Sequence, residues 1–309
     1  MPAKVLKPSL IAKEYRAEVR REVAELSSGR GPLRILGLLG QESGPAATYA
    51  HYAQRGCEAV GIRLDIQHIG PDAGEAAVER AIAYANVDQE IDGIFLYYPL
   101  TDPAGDRWLR ELVDPRKDVE GLHSFWSRLL YENQRYVDQR KQKRAILPCT
   151  PLAILKILHH AGMPSGGANA PLEGVTACVI NRSDLVGRPL AAMLANDGAR
   201  VYSLDLTGTV VFEPAIGRRT HDVRDSTVDR ATALSMADAV ISAVPSADFE
   251  RIRGDEIRAG AICVNVAEHA NFDDSVLDRA SVFVPRVGPL TIAMATRNLT
   301  RLLRLNQDR

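Results

Sequence analysis

The segment INRSDLVGRP (Ile180 to Pro189) lies between an apolar run, VTACVI, and a stretch of helical periodicity. Backbone N–H groups and a helix N-terminus at such a junction can hold a pyrophosphate. The spacing departs from GxGxxG: Asn181 stands where the first glycine would, and only Gly187 remains. Spacing alone therefore fits a phosphate cradle and a plain strand-to-helix turn equally well. Asp205 favours the cradle. It ends the next candidate strand, RVYSL, 24 residues after Asn181, near the offset of about 20 at which an acid takes the ribose hydroxyls in NAD-binding folds. Its plainer reading is a solvated strand-end aspartate. Cys57, Cys149, Cys178 and Cys263 are widely separated, with no CxxC pair and no Cys/His cluster, so no metal site is expected.

Holding such residues in place requires a packed chain. Apolar residues make up 46% of the 309 and charged residues 25%, the composition of an average globular protein rather than a disordered or fibrous one. Lys plus Arg (38) nearly cancels Asp plus Glu (39), leaving a net charge of -1; this argues against nucleic acid or an anionic membrane as the main partner. No run approaches the roughly 18 apolar residues of a membrane span. The first 26 residues lack an apolar signal core, and Glu14, Glu18, Glu22 and Glu25 make them too acidic for a transit peptide. A cytoplasmic chain in a reducing compartment is expected.

The length favours two domains. Ile11, Tyr15, Val19, Val23 and Leu26 share one helical face, with Ser9 as a candidate N-cap and Gly29 as the stop. Leu33 to Leu39 reads as a buried strand, followed by a helix from about Ala46 to Val60, an alternating strand through Ile62, Leu64 and Ile66, a helix through Val78, Ile82 and Ala85, and a strand from Ile91 to Tyr98. This is a βαβαβ pattern. After the polar stretch Asp138 to Arg144, PCTPLAILKILHHAG predicts a helix with Thr150 as N-cap and Pro151 in its first position. Pro164 to Ala170 reads as a loop. A second parallel α/β unit follows: Val175 to Ile180, a helix near Val186 to Asn196, RVYSL, and strands at Ala239 to Val244, Ala261 to Val266 and Ser281 to Val284. A last helix runs from about Thr291 to Leu305, with Ile292, Ala295, Leu299, Leu302 and Leu303 on one face.

Six segments occur in order: TYAHYAQRGCEAVGI, IDGIFLYYPL, PRKDVEGLH, LPCTPLAILKIL, NRSDLVGRPLAAMLANDGA and VPRVGPLTIAM. Together they resemble the methylenetetrahydrofolate dehydrogenase/cyclohydrolase family over nearly the whole chain, and within it the monofunctional NAD-dependent branch of the yeast type. The resemblance implies an α/β chain of two domains. Residues 1–149 would form a folate-binding catalytic domain, joined by a C-terminal helix (286–309), and residues 150–285 a Rossmann-like parallel-sheet NAD domain. It also implies a homodimer acting on tetrahydrofolate derivatives.

Site residues carry over by the same resemblance. Tyr49, Tyr97 and Cys149 take catalytic positions. Tyr49, Glu120 and Pro289 take substrate positions, with Glu120 where the family's acid binds the pterin amino group and ring N–H. Asn181, Arg182, Ser183, Asp205, Leu206, Val244, Val266, Glu268 and Thr291 take cofactor positions. Two departures bear on activity. The family's catalytic Lys, four residues after the Tyr, is here Ala53, and a usual Gln is Tyr97, so methenyl hydrolysis should be lost or very weak. His51 and Arg55 are the available substitutes. VPRVGPLT is also one glycine shorter than the family's loop. The implied reaction is NAD-dependent oxidation of 5,10-methylenetetrahydrofolate to the 5,10-methenyl form. Its rivals are a bifunctional NADP-linked dehydrogenase/cyclohydrolase and a catalytically silent NAD- or folate-binding regulator.

Overall fold

The computed structural model describes residues 2–163, 166–167, 170–215 and 220–307, and the chain divides into two compact units. The smaller-sheet unit comprises Ala12–Arg128, Tyr136–Cys149 and Pro289–Arg309; the larger-sheet unit comprises Met1–Ile11, Leu129–Arg135 and Thr150–Gly288. Against the expected boundaries, residues 1–11, 129–135 and 286–288 fall with the larger-sheet unit.

Strand β1 (Lys4–Val5) precedes helix α1 (Pro8–Leu26). The helix starts at Pro8, whose missing N–H costs nothing in a first turn, so Ser9 lies inside it and is not the N-cap. Next come β2 (Leu33–Leu39), α2 (Pro45–Glu58), β3 (Ile62–His68), α3 (Glu75–Val87) and β4 (Gly93–Tyr97), the βαβαβ unit the apolar runs predict. The sheet order is β3-β2-β4, all parallel, with Leu39 opposite both His68 and Tyr97. Two short helices in this part of the chain are not expected from the sequence: α4 (Pro103–Leu112), whose N-cap Asp102 accepts from the N–H groups of Ala104 and Gly105 at 2.8 Å, and α5 (Ser124–Tyr131).

Helix α6 runs Cys149–His160, which puts Thr150 and Pro151 at its second and third positions rather than at the cap and first turn. The Cys149 N–H donates to the Glu120 carbonyl at 3.0 Å, so a first-turn donor is satisfied without a side-chain cap. Of the loop expected at Pro164 to Ala170, residues 164, 165, 168 and 169 lie outside the described residues. The chain continues through β5 (Thr176–Ile180), α7 (Gly187–Asn196), β6 (Arg200–Asp205), β7 (Gly208–Pro214), β8 (His221–Ser226), α8 (Arg230–Met236), β9 (Ala239–Ser242), β10 (Ile262–Asn265) and β11 (Val282–Val284). Among the described residues these and β1 form one sheet, ordered β1-β11-β10-β9-β5-β6-β7-β8. It is not wholly parallel as expected, because β6, β7 and β8 pair antiparallel. Asp205 faces Gly208 across a two-residue turn, and Gly208 adopts φ +106. So tight a reversal leaves no room for the crossover that a parallel neighbour needs.

Helix α9 (Gly288–Gln307) belongs, past its first residue, to the smaller-sheet unit and buries Ile292, Ala295, Leu299 and Leu302 there. Its Asn298 Nδ2 donates to the carbonyls of Val119 and Leu147, each at 3.0 Å, and its Arg297 pairs with Glu18 at 3.2 Å. Gly93 makes this packing possible. A Cβ there would sit 2.5 Å from Val119 Cγ1 and 3.1 Å from Leu299 Cδ1.

Candidate active site and nucleotide loop

In the smaller-sheet unit, α2 presents Tyr49 to the β4 side chains. Its ring meets Tyr97 edge-on at a centroid distance of 6.0 Å and Phe95 at 6.2 Å, while Phe95 and Tyr97, two residues apart on one strand face, stack at 4.7 Å. Burial pushes both tyrosine hydroxyls well above their ordinary value of 10.0. The thiols of Cys149 and Cys57 and the acid Glu120 add to the effect, which places these groups around one another. Tyr97 Oη is buried with no hydrogen-bond partner. Gly37 on β2 leaves room for the ring, since a Cβ there would lie 2.8 Å from Tyr97 Cε2.

Glu120 is partly accessible yet densely surrounded, and its Oε2 accepts from the Leu96 N–H at 3.1 Å. Its carboxyl is raised to about 8: burial and then Asp118 push it up, and the Leu96 N–H and Arg110 oppose the shift. Asp118 builds the loop that carries it: Oδ1 accepts from the N–H groups of Glu120 (3.1 Å) and Gly121 (2.9 Å), and Oδ2 accepts from the His123 N–H (2.8 Å). Sequence reading passed over Asp118 and Phe95. The D-x-E-G spacing, with an acid able to bond amides two and three residues on, was the available signal for Asp118. Pro289 is half-buried, and Thr291 is buried with Oγ1 unpaired; both belong to this unit. Ala53 is buried, whereas His51 and Arg55 are exposed on another face of α2.

In the larger-sheet unit, β5 delivers Asn181 at φ +78. Its N–H donates to the Leu204 carbonyl (3.0 Å) and its Nδ2 to the Ala243 carbonyl (2.7 Å). Gly187 opens α7 pressed against that turn: a Cβ there would lie 1.8 Å from the Asn181 carbonyl oxygen. Ser183 Oγ accepts from the N–H groups of Val186 (3.3 Å) and Gly187 (3.5 Å). At the tip of β6, Asp205 Oδ2 accepts from the Arg182 N–H and Oδ1 from the Leu206 N–H, both at 2.7 Å. The Leu206 side chain is fully exposed. Val244, after β9, donates its N–H to Asn271 Oδ1 (3.0 Å), and Val266, after β10, donates to the Ser242 carbonyl (2.9 Å). Glu268 is exposed. Asn271 was missed in sequence because its partner lies 27 positions away. Among the described residues no group of three potential ligands could hold a metal ion, and no helix is long and apolar enough to cross a membrane.

Residues 6–120 match the tetrahydrofolate dehydrogenase/cyclohydrolase catalytic domain, and residues 148–307 match the NAD(P)-binding domain of the same family. The chain belongs to the tetrahydrofolate dehydrogenase/cyclohydrolase family. Over 98% of its length, and 97% of the relative's, it is 38% identical to the methylenetetrahydrofolate dehydrogenase (NAD+) of Saccharomyces cerevisiae. The protein of the same name from Dictyostelium discoideum is 36% identical, over 94% of this chain and 91% of that one. The solved NAD-dependent 5,10-methylenetetrahydrofolate dehydrogenase from Saccharomyces cerevisiae matches with a TM-score of 0.92 and 36% identity, covering 99% of each chain. The bifunctional enzyme FolD from Campylobacter jejuni shares the fold, with a TM-score of 0.78 at 24% identity over 98% of this chain and 99% of that one.

Proposed function

We propose that this protein oxidises 5,10-methylenetetrahydrofolate to 5,10-methenyltetrahydrofolate with NAD. The observation that carries the reading is the pairing, in one chain, of two acids at defined positions: Glu120 beside the Tyr49–Tyr97 cluster and Asp205 at the tip of β6. The relatives named for this NAD-dependent reaction agree with it. The residues present fit a dinucleotide, since Gly187 lets backbone approach closely at the Asn181 turn and Asp205 ends the strand that follows. When bound, NAD supplies the carbon that accepts the hydride.

Each residue then has a task. Glu120, once ionised, accepts hydrogen bonds from the pterin N–H groups. Tyr49 lies against the folate, and Tyr97 and Cys149 shape the space around the reacting carbon, with Pro289 beside the substrate. Asn181, Arg182 and Ser183 form the nucleotide loop, Asp205 accepts from the ribose hydroxyls, and Leu206, Val244, Val266, Glu268 and Thr291 flank the cofactor. No proton moves in the hydride step, so catalysis rests on holding donor and acceptor carbons about 3 to 3.5 Å apart. Methenyl hydrolysis differs because it needs an activated water. Ala53 and Tyr97 remove the groups that would supply it, and His51 points away: two residues along a helix turn a side chain by roughly 200°. We assign residues 1–149 with the last helix to folate, save residues 1–11 and 129–135, which pack in the larger-sheet unit, residues 150–285 to NAD, and the whole to a cytoplasmic homodimer.

The test is turnover of methylenetetrahydrofolate with NAD or NADP, following reduced nucleotide and methenyl absorbance separately. NADH and methenyl product should rise together, and methenyl should then decay no faster than in buffer. Equal use of NADP with accelerated decay overturns the reading in favour of a bifunctional enzyme; binding of either ligand without turnover overturns it in favour of a regulator.

A further inference from the structure

The guanidinium of Arg182 is a charged group of the nucleotide loop to which the NAD chemistry gives no task. Its Nη2 donates to Thr207 Oγ1 at 3.1 Å and to the Gly208 carbonyl at 2.8 Å. Both acceptors are neutral and lie in the β6–β7 turn, with Gly208 paired to Asp205 across it. From its other end, the backbone N–H of the same residue holds Asp205 Oδ2, while Leu206, inside the turn, holds Oδ1. Arg182 thus grips the Asp205 carboxylate and the turn that follows it at once. Beyond the β6–β7 strand pairing that closes it, the turn projects into solvent: Leu206, Thr207 and Gly208 are all exposed, and Gly208 sits at φ +106, where a glycine backbone is permissive.

We propose that Arg182 is a positioning residue for cofactor choice: its guanidinium locks the β6–β7 turn and thereby fixes the Asp205 carboxylate toward the ribose, rather than binding a phosphate itself. The inference rests on the NAD reading and deepens it. The task suits a guanidinium, because the two N–H bonds of Nη2 lie in one rigid plane and reach two acceptors of the turn at once. Since the contact to Asp205 comes from the backbone, Arg182→Gln removes the grip on the turn while leaving that hydrogen bond in place.

Two measurements test it. The first is amide hydrogen exchange in the ligand-free protein: Arg182→Gln and Thr207→Val should speed exchange over residues 205–210, and Thr207→Ser, which keeps the hydroxyl, should not. The second is NADH and NADPH binding by fluorescence titration. Arg182→Gln should weaken NADH about 5- to 10-fold, the scale of one or two ordinary hydrogen bonds, and leave NADPH within about twofold, an effect that vanishes in an Asp205→Ser background. An equal loss for both nucleotides would instead assign the guanidinium to the pyrophosphate, and a loss confined to NADPH would assign it to the 2′-phosphate. Either overturns the proposal, as does unchanged exchange in the turn. If the unmodified protein binds no NADH at all, the cofactor reading itself falls, whereas the exchange result still reports on the Arg182 contacts.

Discussion

Glu120 is poised to couple substrate binding to a proton. With its carboxyl raised to about 8, the unliganded protein holds it mostly protonated at pH 7, yet only the carboxylate can accept from two pterin donors. The folate KM should therefore fall as pH rises from about 6 and level off only above pH 8, a slope that Glu120→Gln should erase while weakening binding by about 1.5 to 3 kcal/mol at pH 9. Stability should move the opposite way. The folded state holds this proton more tightly than the unfolded chain, so the contribution is full below the ordinary glutamate value of 4.5 and lost as pH rises through about 8. Glu120→Gln, which cannot ionise, should melt above the unmodified protein at pH 9 and close to it at pH 5. At the other acid, a 2′-phosphate about 4 Å from Asp205 meets a like charge worth about 4 kcal/mol at an effective dielectric of 20, before screening. Asp205→Ser should relax the NAD preference in kcat/KM, and unchanged discrimination would remove Asp205 from the ribose site.

Elements decide whether these residues can meet. The Asn181 turn and the start of α7 are in backbone contact at Gly187, so Gly187→Ala must push strand end and helix apart. NADH affinity should fall more than tenfold, given that a Cβ at this position cannot be accommodated without moving main chain, while a folate analogue should still bind as before. The buried parallel strands were legible because each is rich in apolar residues and bounded by turn residues; β2 was read to the residue, and β5 and β6 to within one. The β7–β8 hairpin was not. Its outer strand, HDVRDS, is largely exposed and carries no burial pattern to read. Helix α4 had a legible start in Asp102-Pro103, but at 10 residues it offers too few turns for a clear period. The site itself was legible only by resemblance: Tyr49, Tyr97 and Glu120 are far apart in sequence, and no local pattern says that an α2 tyrosine will meet β4.

For the molecule as a whole, the notable connection is that the last helix packs into the smaller-sheet unit formed by the first half of the chain. Leu299 is fully buried and faces the space left by Gly93. Leu299→Ala should cost about 2 to 5 kcal/mol, read as a lower denaturant midpoint for the transition of that unit. All four cysteines are thiols, every one of them buried, with Cys57 and Cys149 in the smaller-sheet unit and Cys178 and Cys263 in the larger. Burial pushes Cys57, Cys178 and Cys263 up to about 12, so none of these three reacts as a thiolate in the closed fold. Alkylation must wait for each segment to open. The protein therefore carries two built-in clocks, one per unit, and mass-resolved labelling of the four thiols over time would time the opening of each half without any probe being introduced.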